Sequence, residues 1–372
     1  VSGKRQDARF LFSAWPGSGS HKEKLMIIVL KPKSTDQDVQ AVSDMVASLR
    51  YQPRIIRGVE HTVVACIGDE LNNHSLEALR NLPAVDTVIP IQHRYKLVSR
   101  EYHRADSVVT IGDVRIGNGS IAVVAGPCAM EGAEQFRRAV RDLTAAGVRL
   151  VRAMPFKPRT SPYDFQGLRD EGVRIMREVK AETGVAFVSE VMGPAHVEQL
   201  ADVADMYQIG ARNAQNYDLL EIVAAARKPV LLKRGMASTV EEWLAAAEYL
   251  LVNGCSQVVL CERGLRSFDR AVRNVLDLGA VAVAKAESHL PVLVDPSHAA
   301  GKRSLVLPLA CAALAAGADG LIVETHPDPV NAFSDAAQQL DSAKFADFLA
   351  ELKPWMELAA ARKKAQRGSE KK

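Results

Sequence analysis

From residue 120 onward the chain repeats one unit eight times, a short β-branched run followed by a helical stretch. The runs are IAVVAG, VRLVRAM, AFVSEV, DMYQIGA, PVLLKRG, QVVLCERG, PVLVDPS and GLIVETH. Stretches such as AEQFRRAVRDLTAAG, LRDEGVRIMREVKAETG, TVEEWLAAAEYLLVNG and SLVLPLACAALAAG separate them. A strand that is apolar along its whole length must be covered on both faces, as in a parallel sheet wrapped by helices. Eight such units between residues 120 and 360 predict a (β/α)8 TIM barrel. A doubly wound open sheet is the alternative, and the GxGxxG turn it would carry after its first strand is missing from AGPCAMEG.

Residues 25–95 read differently. LMIIVLK, PRIIRGV, TVVACIG and VDTVIPI are strands, TDQDVQAVSDMVASL is a helix and SLEALRNL a short helix. The order β-α-β-β-α-β is that of a ferredoxin-like α+β domain, and no cluster of catalytic residue types lies in it. Residues 96–119 follow as a linker and a β-hairpin, SVVTIGDVRIGNGS, turning at Gly-Asp. Residues 1–24 are expected to be a flexible extension and 361–372 a charged, solvated tail.

Composition narrows the function. The 47 basic and 44 acidic residues leave a net charge of +3, too small for nucleic-acid binding as the main task. No apolar run approaches the ~18 residues of a membrane span. Five scattered cysteines without a CxxC pair fit a reducing cytoplasm.

Barrel active sites gather at the C-terminal ends of the strands. Here those ends carry Cys128 and Glu131, Arg152 and Lys157, Glu190, and Arg212 on the first four runs. Lys233 and Arg234, Glu262 and Arg263, Asp295 and His298, and Glu324 and His326 follow on the last four. Arg152, Lys157, Arg159, Arg212, Lys233 and Arg263 form a cationic set. Cations crowded at one rim repel each other unless they meet polyanions, so they imply phosphorylated or carboxylated small molecules. Cys128, His298, Glu324 and Asp335 form a second set. A thiolate, an imidazole and two carboxylates would accept Mn²⁺, Fe²⁺, Co²⁺ or Zn²⁺, and the mixed set fits a Lewis acid better than a closed structural zinc. His326 is a spare ligand and Asp295 a residue that could orient a neighbour. In PFKPRTSPYDFQG, Pro155, Pro158 and Pro162 forbid a helix, and the loop presents Lys157, Arg159, Thr160 and Ser161.

AGPCAME, RAMPFKPRTSPYDFQG, QIGARNAQN, LLKRGMAST, LCERG, VDPSHAAGKR and GLIVETHPDP, in this order, resemble 3-deoxy-7-phosphoheptulonate (DAHP) synthases of the type I beta group, which carry an N-terminal ferredoxin-like regulatory domain. The resemblance runs from residue 25 to about residue 358. It implies a transferase that condenses phosphoenolpyruvate with erythrose 4-phosphate and water, the first step of the shikimate pathway toward chorismate and the aromatic amino acids. It implies one divalent metal, Mn²⁺ first, with Fe²⁺, Co²⁺, Zn²⁺ or Cd²⁺ admissible, on Cys128, His298, Glu324 and Asp335. Arg152, Lys157, Arg212, Lys233 and Arg263 would then hold phosphoenolpyruvate, and Pro158, Arg159, Thr160 and Ser161 the sugar phosphate. Cys128, Lys157, Glu190 and His298 are the expected catalytic residues, with Glu190 managing the water that adds at C2 of phosphoenolpyruvate. Further expectations are a cytoplasmic homotetramer or homodimer and feedback inhibition by tyrosine or phenylalanine at the N-terminal domain. The second strand of that domain reads Arg54, Ile55, Ile56 where relatives use small polar side chains. An octulosonate 8-phosphate synthase using arabinose 5-phosphate, a non-catalytic metabolite sensor and a Schiff-base aldolase on Lys157 or Lys233 are the alternatives.

Overall fold

The computed structural model describes residues 24–369 except 33, 58–60, 69–75, 91–94 and 118, so the expected 1–24 extension lies almost wholly outside the described residues. The chain divides between His93 and Arg94 into two compact units, taken separately below.

The first unit holds β1 (Lys24–Leu30), α1 (Asp36–Ser48), β2 (Gln52–Arg57), β3 (Thr62–Gly68) and β4 (Val85–Pro90). Thr35 starts α1 with a capping box: its hydroxyl accepts from the Asp38 N–H, and Asp38 Oδ2 accepts from the Thr35 N–H at 2.8 Å. Val39, Val42 and Val46 put the apolar stripe of α1 on Ile28, Leu30 and Val64 of an antiparallel sheet ordered β2-β3-β1-β4, the ferredoxin-like order. The short helix expected at 75–82 is a 3-10 helix, Leu76–Asn81. Leu76 and Leu79 are both buried three residues apart, the spacing that a three-residue turn places on one face.

The second unit opens with a segment laid onto its own barrel. The Leu97 and Val98 N–H groups each donate to Glu248 at 2.9 Å. The hairpin β5 (Val109–Ile111) and β6 (Val114–Ile116) turns at Gly112–Asp113, as the sequence predicts. The eight expected strands follow: β7 (Ala122–Gly126), β8 (Leu150–Arg152), β9 (Ala186–Glu190), β10 (Met206–Ile209), β11 (Val230–Lys233), β12 (Val258–Glu262), β13 (Val292–Val294) and β14 (Gly320–His326). All pair in parallel with their sequence neighbours, and β14 pairs with both β13 and β7, which closes the barrel. The major helices between the strands are α2 (Ala133–Ala145), α3 (Asp170–Thr183), α4 (Pro194–Gln199), α5 (Tyr217–Ala225), α6 (Val240–Val252), α7 (Leu278–Glu287), α8 (Pro296–Ala300) and α9 (Val306–Ala315). A final helix, α10, spans Phe345–Ser369. Among the described residues no helix is long and apolar enough to cross a membrane.

The helix α10 runs through most of the stretch expected to be a solvated tail. Two of its basic residues are tied down: Arg362 donates to the Ala315 carbonyl at the end of α9, and Lys363 pairs with Asp319 at 2.6 Å. Cations settle where a helix leaves its last carbonyls unpaired.

Side chains alternate along a strand, and the alternation decides what enters the barrel. Val124, Leu150, Val188, Met206, Leu231, Cys261, Leu293 and Ile322 point inward and pack with Val109, Ile111 and Ile116 of the hairpin into one inner core. Two residues further along each strand the inward position becomes Gly126, Arg152, Glu190, Gln208, Lys233, Arg263, Asp295 and Glu324. A greasy layer therefore lies beneath a polar ring at the C-terminal mouth.

Candidate active site

Parity separates residues that the sequence leaves side by side. Lys233 and Arg263 face the barrel mouth, whereas Arg234 and Glu262 face the helices and pair there at 2.9 Å. Arg234 Nη1 also meets Asp277 Oδ2 at 2.9 Å, and its guanidinium lies 5.9 Å from the Trp243 ring. Those two charges support the wall.

The mouth encloses a cavity of about 360 Å³, lined among others by Arg152, Lys157, Arg159, Arg212, Lys233 and Arg263. The whole expected cationic set therefore shares one space. Several of its members are held by carboxylates: Arg152 by Glu324 at 3.0 Å, Arg159 by Asp164 at 3.1 Å and Lys233 by Asp295 at 2.5 Å. Arg212 reaches Thr160 Oγ1 at 3.4 Å, and Arg263 donates to the Gly264 carbonyl; neither makes an ion pair among the described residues. Burial lowers the pKa of Arg263, so an anion brought to it meets a poorly solvated charge. Gly126 is what lets Arg152 sit so deep, since a Cβ there would come within 2.4 Å of the Arg152 carbonyl oxygen and 2.7 Å of its Cγ.

The proline-rich segment is the irregular loop expected. It is tied across its base by the Lys157 N–H donating to the Gln166 carbonyl at 3.0 Å. Pro158, Arg159 and Thr160 line the cavity. Ser161 does not: its hydroxyl accepts from the Tyr163 N–H and its carbonyl from the Gln166 side chain, so it braces the loop.

Beneath the cavity, ligand atoms of Cys128, His298, Glu324 and Asp335 all lie within 4.8 Å of one another. Donors ~2.0–2.3 Å from one ion stand at most ~4.6 Å apart, so small side-chain adjustments bring the four onto a single metal ion. His298 directs its Nε2 inward because its Nδ1 is bound to Asp295 Oδ2 at 2.7 Å, which places Asp295 in the orienting position expected of it. Burial brings the His298 pKa down to about 4, in spite of the Asp295 and Glu324 carboxylates, leaving a neutral imidazole with a free lone pair. Burial, reinforced by Glu324, pushes the Cys128 thiol up to about 12. Lys157 Nζ lies 2.6 Å from that sulfur and 3.1 Å from the Cys128 carbonyl. Burial opposes the charge on Lys157, yet the thiol and Glu324 hold its pKa above the ordinary lysine value. Glu324 Oε1 receives no well-aligned hydrogen bond although Arg152 is beside it, and Asp335 takes a left-handed φ of 50°. A buried acceptor with room for a partner and a strained carboxylate aimed at the same point fit a cation.

His326, the spare ligand, is not part of the cluster. Its Nε2 meets Glu131 Oε2 at 3.2 Å and its Nδ1 accepts from the Asp328 N–H, so it staples the loop after β14 to the loop after β7.

The sequence reading missed several residues here. Gln338 donates to Glu324 Oε2 at 2.5 Å and Asp335 Oδ2 at 3.3 Å, and Gln339 accepts from the Cys128 N–H at 3.0 Å. Arg273, in the loop after β12, pairs with Asp335 at 3.1 Å. Charge and spacing give the two glutamines no signal beyond nearness to Asp335 in the chain, and Arg273 lies past the strand ends at which site residues are expected. Gln208 had a signal, its inward parity on β10.

Comparison with known proteins bears on this site. Residues 91–359 match the model of the DAHP synthetase I family, and residues 26–93 that of the DAHP synthase ferredoxin-like domain. The chain is 46% identical over 328 residues to a phospho-2-dehydro-3-deoxyheptonate aldolase of Thermotoga maritima, covering 88% of this chain and 97% of that protein. A 2-dehydro-3-deoxyphosphooctonate aldolase of Acidithiobacillus ferrooxidans is 33% identical over 246 residues, 61% of this chain and 86% of its own. The crystal structure of the Thermotoga maritima DAHP synthase superposes with a TM-score of 0.85 at 43% identity, covering 91% of this chain and 99% of that one. With the barrel, the domain before it and the site all accounted for, the chain belongs to the DAHP synthetase I family.

Proposed function

We propose that this protein is a DAHP synthase, joining phosphoenolpyruvate to erythrose 4-phosphate and releasing phosphate at the entrance to the shikimate pathway. The observation that carries the reading is the juxtaposition of the six expected cations lining one cavity and a four-donor cluster beneath it, in a chain 46% identical to a heptonate aldolase.

Phosphoenolpyruvate presents a phosphate and a carboxylate. Arg212 and Arg263, without ion partners among the described residues, and Arg152, Lys157 and Lys233 around them supply the charges to hold both groups. Arg159 and Thr160 supply a cation and a hydroxyl at the rim for the phosphate of the sugar, with Pro158 fixing the backbone between Lys157 and Arg159. Holding two mutually repelling anions in one approach geometry is a proximity effect as much as an electrostatic one. Lys157 keeps its proton beside the cluster, where the aldehyde oxygen gains negative charge as C3 of phosphoenolpyruvate bonds to the aldehyde carbon. Glu190, on the inner wall, holds the water that adds at C2. A divalent cation on Cys128, His298, Glu324 and Asp335, Mn²⁺ first and Fe²⁺, Co²⁺, Zn²⁺ or Cd²⁺ otherwise, would supply Lewis-acid polarisation of the aldehyde.

The ferredoxin-like domain supports a regulatory role, with tyrosine or phenylalanine as the proposed effector, and the protein is proposed to work as a cytoplasmic homotetramer or homodimer. Turnover with each sugar phosphate tests the assignment. Phosphate release with erythrose 4-phosphate should exceed that with arabinose 5-phosphate at least ~10-fold in kcat/KM, about 1.4 kcal/mol of discrimination. The reverse preference would make the protein an octulosonate 8-phosphate synthase.

A further inference from the structure

Apart from Gly126, the polar ring at the barrel mouth has one uncharged member, Gln208. It is 1% exposed and lines the cavity. Its Nε2 donates to Glu190 Oε2 at 3.0 Å. A carboxylate only accepts, so the amide nitrogen must be the end that faces Glu190. That leaves Oε1 as a buried acceptor, and it has no hydrogen-bond partner. The neighbouring acceptor, Glu190 Oε1, has space only because residue 210 is glycine: a Cβ there would lie 2.0 Å away. Two acceptors on adjacent strands, β9 and β10, thus look into one cavity with no donor supplied among the described residues. A water molecule giving one hydrogen to each would satisfy both and turn a lone pair toward the middle of the cavity.

We propose that Gln208 is a positioning residue for the water that adds to C2 of phosphoenolpyruvate. This rests on the reaction proposed above. As C3 forms its bond to the aldehyde carbon, the C2–C3 π pair is consumed and C2 becomes electron-poor. The aldehyde π pair moves onto its oxygen, which takes a proton. The lone pair of the water then forms the C2–O bond, and one proton of that water passes to Glu190. C2 now carries a hydroxyl and the phosphate. The C2–O(phosphate) bond breaks with its electron pair leaving on phosphate, and the hydroxyl O–H pair becomes the ketone π bond. The protons surrendered by the water balance those taken up by the new sugar hydroxyl and the departing phosphate. Gln208 touches neither substrate in this scheme. It keeps Glu190 from turning and holds the second hydrogen of the water.

The test is a series at one position: Gln208→Met, which matches glutamine in length and volume but accepts nothing, and Gln208→Asn, which keeps both amide groups one methylene short. Positioning predicts a kcat loss of roughly 30–300-fold for the methionine variant and a loss about 5–20-fold for the asparagine variant. KM for phosphoenolpyruvate should stay within about threefold and melting temperature should be unchanged in both. A merely space-filling role predicts the opposite order, since asparagine leaves a void and methionine does not. A methionine variant with wild-type kcat, an asparagine variant slower than the methionine one, or a raised KM with unchanged kcat would each overturn the proposal. Absence of turnover by the wild-type protein with both substrates would instead remove the reaction itself, and this role with it.

Discussion

At the scale of single residues, the site depends on which atoms each buried side chain has left to offer. Cys128 offers its sulfur to the four-donor cluster, and alanine keeps a small apolar side chain in its place. Cys128→Ala should therefore abolish metal-dependent turnover while circular dichroism and melting show a folded barrel; wild-type rates in that variant with added metal would refute the ligand assignment. Gln338 bonds two of the four donors, so Gln338→Leu should weaken metal affinity ~10–100-fold, read by competition with a chromophoric chelator. An unchanged affinity would mean that the carboxylates hold themselves in place. Much of this was legible: reactive residue types at eight consecutive strand ends point to one working face. Gln338 and Gln339 were not, because an amide that orients a ligand has no charge or period of its own, and folding alone brings it beneath Cys128.

At the scale of elements, alternation along the strands decides function against support. Arg234 and Glu262 are adjacent to Lys233 and Arg263 in the chain but face the other way. Glu262→Gln should cost about 1–3 kcal/mol in urea unfolding, the penalty for weakening a buried hydrogen bond to a charge while Asp277 still pairs with Arg234, with KM values near wild type. Arg263→Met should show the converse, a raised KM for phosphoenolpyruvate and little loss of stability, because it leaves no ion partner behind among the described residues. A stability loss in both, or a KM change in both, would erase the distinction. The strands themselves were readable because their residues are apolar throughout. The nature of the helix at Leu76–Asn81 and the length of α10 were not, since each is set by what it packs against: two leucines three apart in one case, and the carbonyls of Ala315 and Ala318 in the other. The histidines that fasten loops carry a pH signature. His289 accepts from Ser107 on Nδ1 and donates from Nε2 to the Leu97 carbonyl, 2.7 Å each, an arrangement that needs the neutral ring. Burial lowers its pKa, and that of His196, below the ordinary ~6.5. The unfolded chain then binds more protons as pH falls through 6.5, so stability is full above that value and declines below it. Melting temperature should be flat above pH 7 and drop toward pH 5, more shallowly in His289→Gln; a rise in stability on acidification would contradict the sign.

At the scale of the whole molecule, chemistry and regulation are expected to be separable. The proposed catalytic residues all lie in the unit that begins at Arg94. A chain starting at residue 94 should keep turnover and lose any inhibition by tyrosine or phenylalanine that the full chain displays. Inhibition surviving the deletion would move the effector site into the barrel. The central claim is that a cationic cup above one metal site brings two phosphorylated metabolites together, and it is tested most directly by one rate. Phosphate release from phosphoenolpyruvate plus erythrose 4-phosphate is measured on the full chain after EDTA treatment, then after adding back a single divalent metal. The account predicts a rate near zero after chelation, restored by Mn²⁺ and dependent on the sugar phosphate. A rate indifferent to EDTA would contradict it.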